Sequence, residues 1–102
     1  NQSAVITKFT TNFQPIWTDR YPSTGSALTA ANSKGQFGAF VSSGAVKALP
    51  SWKRKNSILL LTFDKKGGIS AANYIAGNRI DGLVASNNLG PLVLAGGFVY
   101  RT

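Results

Sequence analysis

Histidine, cysteine, methionine and glutamate are all missing from this chain of 102 residues. Without cysteine there is no disulfide, no thiolate nucleophile and no thiolate metal site, and the redox compartment is left open. Without histidine the commonest proton shuttle is gone as well. Acid–base chemistry would fall on Asp19, Asp64 and Asp81, the only carboxylate side chains. Their wide separation offers none of the close ligand spacings that metal sites use. The glycine pairs Gly67-Gly68 and Gly96-Gly97 fit neither GxxxxGK(S/T) nor a strand–GxGxxG–helix pattern, so no phosphate loop is read. A Ser–Lys dyad is the catalytic option that the inventory leaves. These absences lead to the expectation of no enzymatic activity, no metal and no cofactor.

Long apolar runs are missing too. None approaches the roughly 20 residues of a membrane helix, and no signal peptide is read. The chain starts at Asn1 and contains no Met, which fits a processed terminus or a start inside a longer protein. Charge is sparse, at 14% of residues against a usual quarter, while the apolar share of 43% is that of a globular protein. That apolar content excludes disorder, and the length predicts a single compact β-rich domain over residues 1–102.

What charge there is has one sign. Eleven Lys and Arg face three Asp, for a net +8. Such an imbalance attracts polyanions: nucleic acid first, then anionic membrane or acidic glycan. The plainer reading of the same charge is solubility alone.

The pattern of apolar residues predicts strands. Ala4–Trp17 alternates with period two and is rich in Thr and aromatics, which reads as one strand. Phe9, Phe13, Trp17 and Tyr21 then share a face, read as a core face ahead of a base-stacking one. Asp19–Gly35 reads as a surface loop of functional interest, with Ser26–Asn32 as its short helical option. Gln36–Ser43 is a strand. The string Lys34–Val41, KGQFGAFV, resembles the RNA-recognition octamer of RRM domains, which implies a base-stacking strand. That family needs two aromatics two apart on one face, whereas Phe37 and Phe40 are three apart and face opposite sides. Asn56–Phe63 carries four consecutive large apolar residues, which predicts a central strand covered on both faces.

Asp64-Lys65-Lys66-Gly67-Gly68 has the residues of a hairpin turn, with Asp64 as a salt partner of the lysines. Ile69–Ala76, Arg79–Ala85 and Leu92–Tyr100 are further strands, with Asp81 on an exposed strand edge. Gly77-Asn78 is a tight turn, and Gly96-Gly97 marks a bulge or a close backbone approach. The whole reads as mainly β: a small antiparallel β-meander closed as a barrel or sandwich, with at most one short helix. The alternative makes Ile69–Ala76 a helix and the fold α+β. The segments GAFVSSGAV, LLLTFDKKGGI and GPLVLAGG resemble the strand–turn spacing of phosphodiester-glycosidase-type domains. The Asn-Gly-Gly-Phe-Phe-like stretch of those domains is missing here, and no function is carried over.

Strand geometry sorts the basic residues. Lys53 and Lys65 stand about 40 Å apart if the chain between them is extended. The meander returns Arg79 to the Lys55 end and brings the last strand down to it. The predicted polyanion-binding pole is therefore Trp52, Lys53, Arg54, Lys55, Arg79, Tyr100 and Arg101, cations interleaved with aromatics as in single-strand binders. The Lys65-Lys66 turn is read as a solvated hairpin. A rival reading is a structural or assembly subunit of a virion, fibre or adhesin type, a homo-oligomer joined through β edges. A second rival is a basic membrane-active secreted toxin.

Overall fold

A computed structural model of the chain describes residues 2–44, 57–86 and 91–99. Every regular element among them is a β-strand, and every pairing is antiparallel. The strands are β1 (Ser3–Phe9), β2 (Pro15–Pro22), β3 (Leu28–Asn32), β4 (Gly35–Ser42), β5 (Ser57–Phe63), β6 (Ile69–Ile75), β7 (Arg79–Ala85) and β8 (Leu92–Gly97). They form three sheets: a β1-β2 hairpin, a four-stranded meander in the order β3-β4-β5-β6, and a β7-β8 hairpin. The mainly β, antiparallel fold expected from the sequence is what forms, as stacked sheets and not as one closed barrel.

The apolar run of β5 explains the stacking. A strand points alternate residues to opposite faces, so a continuous apolar strand needs cover on both. On one face Leu59, Leu61 and Phe63 join Phe40 of β4 beneath Ala4, Ile6 and Tyr21 of the β1-β2 hairpin. Tyr21 stacks on Phe40 with ring centroids 5.0 Å apart, and Trp17 leans on Phe63 at 5.3 Å. The hairpin sits close because Gly38 has no side chain: a Cβ there would lie 2.8 Å from Ile6 Cδ1. On the other face Ile58 is buried beside Gly77 and Gly96, where the β7-β8 hairpin covers the sheet. Each such buried Leu, Ile or Phe contributes about 1.5–3 kcal/mol. The close-approach reading of Gly96 holds, since a Cβ there would run into the Arg79 carbonyl. The bulge falls instead in β7, between Ile80 and Gly82.

Four expectations are corrected. Ala4–Trp17 is not one strand: the chain folds back between Phe9 and Pro15. The Thr10 hydroxyl captures the Asn12 and Gln14 amides at 3.3 and 3.1 Å, and a captured backbone turns instead of extending. Trp17 and Tyr21 therefore reach the core while Phe9 and Phe13 stay exposed. The helical option at Ser26–Asn32 is strand β3, because pairing Leu28–Asn32 with Ala39–Gly35 outweighs the helix propensity of its alanines. With β2 and β3 occupying much of residues 19–35, the long loop expected there shrinks to the stretch between Pro22 and Leu28. The helical alternative for Ile69–Ala76 falls as well, since Ile69–Ile75 pairs with β5.

Candidate basic interface

Of the predicted pole, Trp52, Lys53, Arg54, Lys55, Tyr100 and Arg101 lie outside the described residues. Arg79 is described. The pairing of Ile58 with Ile75 returns the chain to the start of β5, and Arg79 follows opposite Gly97. Asn78 ties residue 99 to the same place: its Nδ2 donates to the Val99 carbonyl at 3.0 Å, and its Oδ1 accepts the Val99 amide at 2.7 Å. The Arg79 side chain is half-exposed and already paired, with Nε 3.1 Å from Asp81 Oδ1. Asp81 is the extra residue of the β7 bulge, two positions after Arg79.

The opposite end of the four-stranded sheet gathers more positive charge than its sequence spacing suggests. The β3-β4 turn carries Lys34 and the β5-β6 turn carries Lys65 and Lys66; the pairing of Gln36 with Phe63 puts both turns at that end. Trp17 of β2 lies against Gly67 in the second turn, and Lys8 is Trp17's cross-strand partner. Lys8, Trp17, Thr29, Gln36, Phe37 and Phe63 line part of a cleft of about 300 Å³ between the β1-β2 hairpin and the sheet. Among the described residues the Trp17 Nε1 hydrogen is buried without an acceptor.

None of the three carboxylates forms an ion pair with these lysines. Asp64 was expected to act as their salt partner, and it serves the backbone instead. Its Oδ1 accepts the Lys66 and Gly68 amides at 2.8 and 2.9 Å, which fixes the turn. Asp19 accepts the Tyr21 hydroxyl at 3.1 Å. Burial first, and then the Asp19 charge and this bond, hold the Tyr21 hydroxyl well above the ordinary phenol range. Asp81 belongs to Arg79. Among the described residues Arg79–Asp81 is the one ion pair.

Beyond the lysines lies a feature that the sequence reading missed. Trp17 packs on Gly67 of the turn at the sheet's end, and the hairpin continues past it to its own loop. At 3.3 Å or so per residue, Pro15 at the start of β2 stands about 7 Å further out, and the loop that carries Phe13 lies past it. The tip is a three-residue loop: Thr10 N–H donates to Gln14 O at 2.8 Å, and Phe13 N–H to Thr10 O at 2.9 Å. Phe13 is in the left-handed region, with φ 63°, and is 82% exposed. Phe9 and Ile16 beside it are about half-exposed. The signal in the sequence is Thr-Thr-Asn followed by Pro15, turn chemistry embedded in an alternating run.

Among the described residues no three His, Cys, Asp or Glu side chains gather as metal ligands. What the arrangement offers chemically is unpaired positive charge beside aromatic and apolar surface. No protein-family model, no curated protein and no solved structure matches this chain.

Proposed function

We propose that this chain is a non-enzymatic basic module that binds a polyanion. One observation carries the reading. All three carboxylates are engaged within the protein, while Lys8, Arg20, Lys34, Lys65 and Lys66 have no carboxylate partner among the described residues. Four of these cations share one end of the molecule, and a potential of one sign over such a surface draws in phosphates. The composition points first to nucleic acid, and an oligonucleotide is the first probe.

The expected result is an affinity that falls steeply as salt rises, because each phosphate contact releases counterions. Arg54→Ala and Lys55→Ala test the end named from the sequence, and Lys65→Ala and Lys66→Ala test the opposite one. Each substitution at the contacting end flattens the salt slope by about one unit, and each at the other end leaves it unchanged. An affinity indifferent to salt overturns the reading.

A second reading, an assembly subunit joined through β edges, has β6 in its favour. Among the described residues β6 is the last strand of its sheet, and Ser70, Ala71, Ala72 and Asn73 are all exposed. An open edge of small residues accepts a further strand readily. Light scattering that finds a stable oligomer, with no oligonucleotide binding, selects this reading over the first.

A further inference from the structure

The Thr10–Gln14 tip is uncharged and exposed, with Phe13 as its one apolar side chain. Its backbone bonds to itself: the amides of Thr10, Asn12, Phe13 and Gln14 all donate within the loop. Residues 9–18 contain no charged side chain, whereas Lys8, Lys34, Lys65 and Lys66 stand behind them at the sheet's end. Phe13 leads, and Phe9 and Ile16 flank it.

We propose that this tip inserts into the headgroup–acyl boundary of an anionic lipid bilayer, while the lysines behind it bind the lipid headgroups. The inference rests on the polyanion reading of the same end and names which polyanion that end takes. Order along the molecule is the first argument: an uncharged tip led by an exposed Phe13, with the cations set back, fits a surface whose charge lies outside and whose hydrocarbon lies within. About 7 Å of strand beyond Trp17, with the loop past it, matches the roughly 5–10 Å to which interfacial elements sink. A loop that satisfies most of its own amides can leave water without stranding them.

Other occupants fit less well. Nucleic acid is bound by cations interleaved with stacking rings along a groove, but the tip has no cation and Ile16 cannot stack. A second copy of the chain brings its own net +8 toward the same lysines, which opposes tip-to-tip pairing.

The test is flotation of the full chain with phosphatidylcholine vesicles, with and without phosphatidylserine, beside oligonucleotide binding. The wild-type chain is expected to float only with the anionic vesicles. Phe13→Asn keeps the left-handed backbone and is expected to lower vesicle partitioning about tenfold or more, the factor that burial of one large apolar side chain supplies, with oligonucleotide affinity unchanged. Phe13→Trp reports independently: anionic vesicles should blue-shift its emission beyond any shift in the wild type. Denaturant midpoints show whether each variant is folded. Vesicle affinity unchanged in folded Phe13→Asn, no extra shift in Phe13→Trp, or an equal loss of oligonucleotide affinity overturns the inference. A chain that binds oligonucleotide but no vesicle sinks this inference alone, and one that binds neither sinks the polyanion reading with it.

Discussion

The Thr10–Gln14 and Asp64–Gly68 loops are one device built twice. Each follows a Phe, and each closes with the first residue's amide donating to the fifth residue's carbonyl at 2.8 Å. In each the fourth residue's amide donates back to the first residue's carbonyl, and the first side chain accepts the third and fifth amides. The strand register slips at the same place in both, just before that Phe. The fourth residue of each loop is left-handed, Phe13 at φ 63° and Gly67 at φ 86°. This kind of loop favours Gly there. Gly67 meets that need and lies buried under Trp17. Phe13 violates it in full exposure. Because the same backbone exists nearby with the favoured residue, folding does not account for Phe13, and a strained, exposed residue points toward a role outside the fold.

Gly67→Ala should have the largest effect. The left-handed backbone disfavours an L side chain by about 1–2 kcal/mol. The added Cβ would also lie 2.7 Å from the Trp17 ring, and overpacking of this kind costs about 1–3 kcal/mol. A loss of about 3 kcal/mol is expected in denaturant unfolding. A loss under about 1 kcal/mol would mean that Trp17 moves freely off the turn, and the contrast between the loops would weaken.

Next comes the first residue of each loop. Asp64→Ala removes two bonds to a carboxylate and should cost about 2 kcal/mol, while Thr10→Ala removes two longer bonds to a neutral hydroxyl and should cost about 1 kcal/mol. The two losses, compared by thermal unfolding, sharpen the equivalence of the loops. Loss at Asp64 and none at Thr10 would show that the tip is shaped by Pro15 and the register slip alone.

Tyr21→Phe tests the hairpin that carries the tip. Losing the bond to Asp19 should cost about 1 kcal/mol near neutral pH. The pH dependence has a definite sign. The folded protein holds the Tyr21 proton more tightly than the unfolded chain does, so above about pH 10 only the unfolded chain releases it. The folded state then carries the extra proton, and its stability falls as pH rises. Tyr21→Phe should flatten that alkaline loss. An unchanged alkaline limb would place the titration elsewhere.

The sequence makes some of this legible and hides the rest for physical reasons. Ile58–Leu61 announces a strand buried on both faces, because four large apolar residues in a row admit no solvent face. The Asp64–Gly68 turn is legible because its residues match what its backbone requires. The Thr10–Gln14 turn is not, because Phe13 stands where Gly is favoured and the alternation of Ala4–Trp17 runs through it. β3 is obscured by alanines that favour helix until β4 offers them partners. Arg79 near the start of β5 follows from counting strands. The grouping of Lys8 and Lys34 with Lys65 and Lys66 does not, since it needs the stacking of a hairpin on a sheet, a non-local arrangement. Trp52, Lys53, Arg54, Lys55, Tyr100 and Arg101 lie outside the described residues.

The smallest expected effect bears hardest on the comparison. Phe13→Asn should leave stability within about 1 kcal/mol of the wild type and shift it upward, because Asn tolerates the left-handed backbone that Phe resists. Little packing is lost at a residue 82% exposed. A clear destabilisation in denaturant unfolding would mean that the Phe13 ring shelters Phe9 or Ile16 within the free protein, making the tip a small satellite core and Phe13 a structural residue like Gly67. A neutral or stabilising result leaves the loops contrasted as they stand. A strained residue at an exposed position points to a role outside the fold. At a charge-free tip ahead of four lysines, the role we propose is contact with a lipid surface.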